Sequence, residues 1–309
     1  MQSRVDPLTA VAIGVALVAV SSSGPLIAFA AAPALAMAFW RTGLAVGVLA
    51  PFTLARRGGE LRAVVGQRSG RYSAFAGVAL AGHFATWMPS TQLTSVATAT
   101  ALVATQPVWQ GVIARWQGRR QSAATWVGIL LAVVGVGVAT GADFKVAGPA
   151  LWGDLLALAG GALAAVYTAL GERARVSVTT TTYTLVCYSV CAVLLLVGCL
   201  VFGVRLVGFS GTTWLAIGGL AVGAQLLGHS MFSYALQKVS AGTVSLLILL
   251  EVPGAGVIAW LWLGQVPGVG AMVGVGLLLV GLAVVVVAGA RAGRAGRVGR
   301  VGGGVDVGV

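Results

Sequence analysis

Long apolar runs alternate with short polar links along almost the whole chain. The runs fall at about residues 8–30, 33–55, 72–90, 94–115, 123–141, 150–171, 180–203, 211–236, 241–263 and 268–290. At about 1.5 Å rise per residue, each is long enough to form a helix across most or all of a hydrocarbon core of about 30 Å. Strand-like alternation is absent, so nothing suggests a barrel, whose lumen-facing positions would be polar at every second residue. The pattern predicts an all-α membrane protein of ten transmembrane helices, followed by a disordered basic tail over 291–309.

Composition agrees with that pattern. Hydrophobic residues make up 58% of the 309, charged residues 8%, and the mean hydropathy is +0.98. Such a chain has no room for a water-soluble domain. The net charge of +12 does not point to nucleic acid, because the basic residues lie in the links. With the N-terminus cytoplasmic, sixteen of the nineteen Lys and Arg fall on inside segments, among them Arg4, Arg56, Arg57, Arg119, Arg175 and Lys238. Outside lie Lys145 and Arg205, and Arg41 falls within a span. A miscounted helix would scramble this alternation from that point on. The expectation is therefore a multi-pass protein of a bacterial inner membrane with both ends in the cytoplasm. The Arg-rich tail from Arg291 is expected to meet anionic lipid. Cys187, Cys191 and Cys199 share one apolar run and read as small hydrophobes, and no metal, cofactor or nucleotide motif is present. The first run is read as a retained helix and not a cleaved leader, because the repeat described next requires it.

At an offset of 146 residues the chain resembles itself. Gly82-His83 matches Gly228-His229, and Pro107 matches Pro253. Trp116 matches Trp262, Gly118 matches Gly264, Gly128 matches Gly274 and Gly135 matches Gly281. Both histidines of the chain are included. Each repeat, 1–145 and 146–290, carries five spans. Five is an odd number, so the second copy enters the membrane upside down. Inverted repeats place binding sites near the midplane between the halves in many secondary transporters.

Polar residues gather at that level. Glu251 sits in the middle of an apolar run with Pro253 two residues on, where an unpaired acid costs roughly 2.5 to 3.5 kcal/mol on insertion scales. Gln106 and Pro107 lie at similar depth in the fourth run, and a one-residue slip of the repeat makes Gln106 the neutral counterpart of Glu251. His83, Thr86, Trp87 and Ser90 share one helix face. Gln225, His229, Phe232 and Ser233 nearly do so, with Ser230 beside them. Gly24 and Pro25 end the serine run Ser21–Ser23, where helix geometry should break, as it should at Pro107 and Pro253. Tyr167 is the candidate from the sixth span, with Gly171-Glu172 as an alternative. Arg41 either anchors at the interface or contacts ligand, and Glu251 either lines a substrate path or pairs with Arg41. The glycines of Gly137-x-x-x-Gly141 and Gly270-x-x-x-Gly274 read as helix-packing surfaces.

The segments AFWRTGLA in the second span, TSVATATALVATQP in the fourth and VSAGTVSLLILLEVPGAGVIAWLWLGQ in the ninth resemble the drug/metabolite transporter superfamily, specifically EamA-like transporters. The resemblance spans about residues 8–290. It implies a central cavity lined by spans three, four, eight and nine with one and six, while five and ten lie at the periphery. It also implies export of amino acids, other small metabolites or drugs, or carriage of nucleotide sugars. The chain departs from the family pattern at Gly118-Arg119 and Gly264-Gln265, where an acid usually follows, and at Val252, which separates Glu251 from its proline.

The expected function is export of a small amphipathic metabolite, amino-acid-like or drug-like, by alternating access. Proton coupling and a homodimer are both left open. The candidate substrate-binding set is Arg41, His83, Trp87, Gln106, Tyr167, Gln225, His229, Ser230 and Glu251, with no catalytic residue. Two other readings stand beside it: an intramembrane serine hydrolase built on Ser210 of Gly208-Phe209-Ser210-Gly211, and a non-transporting membrane scaffold.

Overall fold

The computed structural model describes residues 6–94, 96–141, 148–263, 266 and 268–302. Arg4, Lys145, Gly264 and Gln265 lie outside the described residues, as do the side chains beyond Ala288 that carry the lipid-anchor expectation.

The described elements are all helical and follow the order of the ten apolar runs. They are α1 (Pro7–Ser21), α2 (Ser23–Phe29), α3 (Ala34–Val64), α4 (Arg68–Leu93), α5 (Val96–Val103), α6 (Gln106–Trp116) and α7 (Ala123–Thr140) in the first repeat. The second repeat holds α8 (Pro149–Ala174), α9 (Thr180–Val201), α10 (Gly211–Gly219), a π-helical segment Leu220–His229, α11 (Ser230–Ala235), α12 (Ala241–Ile248), α13 (Glu251–Leu263) and α14 (Val269–Gly302). By length and composition, eight described stretches qualify as membrane spans. The two expected runs that do not are α4, whose polar face lowers its hydropathy, and the fourth, divided into the short α5 and α6. Helix α14 continues through the Arg-rich stretch to Gly302, past the boundary placed at 290 from the sequence.

Three runs break where sequence chemistry requires it. The first breaks at Ser22, where the Ser21 and Ser22 hydroxyls donate to the carbonyls of Leu17 and Ala19, both at 2.7 Å, and Pro25 removes a donor in the next turn. The fourth breaks at Ala104-Thr105 and the ninth at Leu249-Leu250. Gln106 and Glu251 each open the helix that follows, with Pro107 and Pro253 in its first turn. The breaks thus pair Gln106 with Glu251 at an offset of 145, the one-residue slip inferred from the sequence.

Contacts between elements come in symmetric pairs. Helix α4 packs on α8, and its counterpart, the π segment with α11, packs on α1; α3 packs on α9, α6 on α12 and α7 on α14. The α7–α14 seam shows the pseudo-two-fold directly. A Cβ at Gly128 would lie 2.8 Å from the Gly281 carbonyl oxygen and one at Gly135 2.7 Å from that of Gly274; reciprocally, Cβ atoms at Gly281 and Gly274 would each lie 2.6 Å from the oxygens of Gly128 and Gly135. These are the glycines that repeat at the 146-residue shift. The expected Gly-x-x-x-Gly surfaces are corrected by this geometry: Gly137, Gly141 and Gly270 have open space where a Cβ would be, and only Gly274 is in the seam. A seven-residue spacing keeps both glycines on one face over two turns, which suits antiparallel helices crossing at a shallow angle.

Helix α3 changes direction at Arg57, whose backbone leaves helical geometry (φ −133°, ψ 19°), and so brings Glu60 to the start of α9. There the carboxylate accepts from Thr179 N and Thr179 Oγ1, both at 2.7 Å, and from Thr182 Oγ1 at 2.9 Å. It caps the positive end of α9 from the other repeat. Glu60→Ala is expected to lower stability by about 2 kcal/mol, read as a drop in the thermal unfolding midpoint in detergent, with Glu60→Gln recovering part of the loss.

Candidate functional site

Between the repeats lies a cavity of about 100 Å³. Val20 and Ser23 of the first run line it, with Arg41 of α3, His83 and Trp87 of α4, and Val103, Ala104 and Gln106 around the fourth-run break. The second repeat supplies Tyr167 and Thr168 of α8, His229 at the end of the π segment, Phe232 and Ser233 of α11, and Val244, Ser245 and Glu251 around the ninth-run break. Of the nine residues proposed from sequence as binding groups, seven line this space: Arg41, His83, Trp87, Gln106, Tyr167, His229 and Glu251.

Gln225 and Ser230 do not line it. Gln225 is fully buried behind the cavity, where its Oε1 accepts from Arg41 Nε at 3.0 Å. Its backbone carbonyl receives the Ser230 N–H that closes the π turn, the Ser230 hydroxyl at 3.3 Å and the Tyr188 hydroxyl at 3.4 Å. The wide turn rotates Gln225 toward α3 and leaves His229 facing the cavity. Such π segments often mark functional positions, and apolar periodicity cannot tell one from an α-helix.

Glycine next to each histidine explains why the pair recurs. A Cβ at Gly82 would meet Leu163 of α8 at 3.0 Å, and one at Gly228 would meet Val20 of α1 at 2.6 Å. Each glycine lets a helix of the opposite repeat approach, which presents the adjacent imidazole to the space between them. His83 Nδ1 lies 2.9 Å from the Gly160 carbonyl, which can only accept, so Nδ1 carries the proton there and Nε2 is left as an acceptor. Trp87 stacks on the His83 ring at 5.7 Å and 7°. His229 meets Phe84 edge-on at 5.5 Å and tilts against Tyr167 at 5.8 Å.

Arg41 is 1% exposed, which removes the interfacial-anchor reading. Its guanidinium lies 4.4 Å above the Phe84 ring, and its Nη2 is buried without a hydrogen-bond partner among the described residues. The alternative pairing with Glu251 is also corrected: among the described residues the ion pair is Arg119–Glu172, and no Arg41 nitrogen lies within 4.0 Å of the Glu251 carboxylate. The break at the head of α13 places Glu251 in the first turn of that helix. Glu172 is thus a surface partner and not a cavity group. Gln106 donates to Thr168 Oγ1 at 3.0 Å, and Tyr167 OH lies 3.2 Å from Ser233 Oγ.

The sequence reading missed Thr168 and Ser245. Both are small hydroxyl residues in apolar runs: Thr168 follows Tyr167 on the unbroken α8, and Ser245 precedes the ninth-run break. Ser210 accepts from Thr213 N at 3.2 Å as the cap of α10 and bonds the hydroxyls of Thr212 and Thr213, the ordinary task of serine at a helix start. Arg175, counted among the cytoplasmic charges, is 1% exposed and donates from Nε to the Ser233 carbonyl at 3.0 Å and from Nη2 to Gln237 Oε1 at 3.2 Å, tying the α8–α9 link to the end of α11.

Two helical repeats related by a pseudo-two-fold, with a shared polar cavity and interrupted helices at its edge, define a membrane carrier of the inverted-repeat class. The model of the EamA-like transporter family matches twice, over residues 7–141 and 151–287, and the chain belongs to that family. It is therefore a multi-pass membrane transporter of the drug/metabolite type. A crystal structure described only as that of a protein is similar over 92% of this chain and 98% of its own, with a TM-score of 0.76 and 19% identity, which shows a shared fold. A search of curated proteins finds no match.

Proposed function

We propose that this transporter exports a small amphipathic, amino-acid-like metabolite across a bacterial inner membrane by alternating access, with both chain ends cytoplasmic. The observation that carries the reading is the cavity shared by both repeats, in which a guanidinium, a carboxylate and two imidazoles join the Gln106 amide, several hydroxyls and apolar side chains around one space. A substrate with separated charged groups and an apolar body would match that distribution. The void is smaller than the apolar cavity of about 150 Å³ that holds a benzene-sized guest. Anything larger than a small solute therefore requires the halves to part, as alternating access demands.

The test is counterflow in proteoliposomes loaded with unlabelled leucine and given labelled leucine outside, with a panel of apolar amino acids as competitors. Saturable counterflow is expected. It should fall at least about 10-fold in Glu251→Ala, because that group would meet the ammonium. Absence of counterflow for the whole panel, with the protein folded, would refute the substrate reading. Dependence on an imposed pH gradient would establish proton coupling, and indifference to it would establish facilitated exchange.

A further inference from the structure

We infer that the cavity is an anion site whose obligatory ligand feature is a single carboxylate, taken by Arg41, and that its ligands include organic acids with no amino group. The inference rests on the transporter reading for its physiological sense, but not for its geometry.

A guanidinium carries five N–H donors in a planar fork that matches a carboxylate. In Arg41 the Nε position is occupied by Gln225 Oε1 and one face by Phe84, while Nη2 is buried and unpartnered and no carboxylate lies within 4.0 Å. A buried charge with no carboxylate in direct contact, Glu251 acting on it only from beyond 4.0 Å, is expensive by several kcal/mol. The fold nonetheless holds this one rigidly at a cavity wall. Gln225 fixes the plane of the fork, so it acts as the positioning residue.

A second asymmetry has the same sign. Helices α6 and α13 both begin at the cavity, and each brings the positive end of its dipole. At α13 that end already carries a carboxylate, Glu251. At the equivalent place α6 has the neutral Gln106, whose amide is engaged with Thr168. One helix end has its anion and the other lacks it, on a cavity that also holds an unpaired guanidinium. One guanidinium with one carboxylate nearby also selects a monoanion, because a dianionic phosphate would set a second charge against Glu251. Val20, Val244, Ile248 and Leu249 offer an aliphatic body its contacts.

The test is thermal unfolding of the purified full-length protein in detergent with three molecules of one shape: 4-methylpentanoate, 4-methylpentan-1-amine and 4-methylpentan-1-ol. Only the acid is expected to raise the midpoint saturably. Its apparent affinity should weaken about 10- to 100-fold in Arg41→Gln. Gln106→Glu, which places a like charge at the α6 end, should weaken it as well and keeps the test available if Arg41→Gln does not fold. Equal shifts from acid and alcohol, no shift from the acid, or an acid shift unchanged in both variants would overturn the proposal. Acid binding without leucine counterflow would sink the amino-acid export reading alone, and counterflow without acid binding would sink the anion site alone.

Discussion

Gly135→Val and Gly274→Val, introduced singly, are each expected to prevent the folded protein from accumulating in the membrane. At these positions a side chain has nowhere to go. A Cβ at Gly135 would sit 2.7 Å from the Gly274 carbonyl oxygen, and one at Gly274 2.6 Å from that of Gly135, so backbone and not a flexible side chain is the obstacle. Overpacking by a single methyl typically costs about 1–3 kcal/mol, and a branched side chain driven into a facing carbonyl exceeds that. The seam recurs at Gly128 and Gly281, so separation at one end strains the other. Gly137→Val is the control: it lies on the same helix but has no atom within 4 Å of its would-be Cβ, and it should leave yield and unfolding midpoint nearly unchanged. Equal loss from all three variants would mean that the effect belongs to helix α7 itself and not to its packing on α14.

Gln225→Leu should destabilise the protein by about 3 kcal/mol, because it leaves the Arg41 guanidinium buried with its Nε hydrogen bond gone. That is a large part of a typical total stability of about 5–15 kcal/mol. Pairing the change with Arg41→Met removes the charge along with its partner, and the double variant should regain most of the loss. A double-mutant cycle of unfolding midpoints reads the coupling. Additive losses would show that Gln225 does not position Arg41, and would remove the argument that the fork is held ready.

The two predictions concern residues of very different legibility. Gly135 and Gly274 are visible in the sequence as members of a repeat, because the shift that pairs the histidines also pairs Gly135 with Gly281 and Gly128 with Gly274. Even so, the sequence drew attention to the wrong glycines: Gly137 and Gly270 have motif spacing but face open space, since rotation of a helix about its axis is set by its neighbours. Gln225 was legible as a polar residue at a costly depth. Its task was not, because the π turn moves it from the cavity wall to the back of Arg41, and no spacing rule distinguishes that turn from an α-helix.

Hydrophobic run lengths, the distribution of basic residues and an odd number of spans per repeat determined by themselves that this chain is a helical membrane protein of two opposed halves. Solvation makes that inference secure, since lipid tolerates neither open backbone nor stray charge. Helix-breaking prolines likewise announced where the runs open. Only the tertiary structure decided that Arg41 is enclosed, that Glu251 stands apart from it, and that Arg175 is buried. Those outcomes depend on distances between helices far apart in sequence, and a few ångströms separate an ion pair from a charge that awaits a ligand.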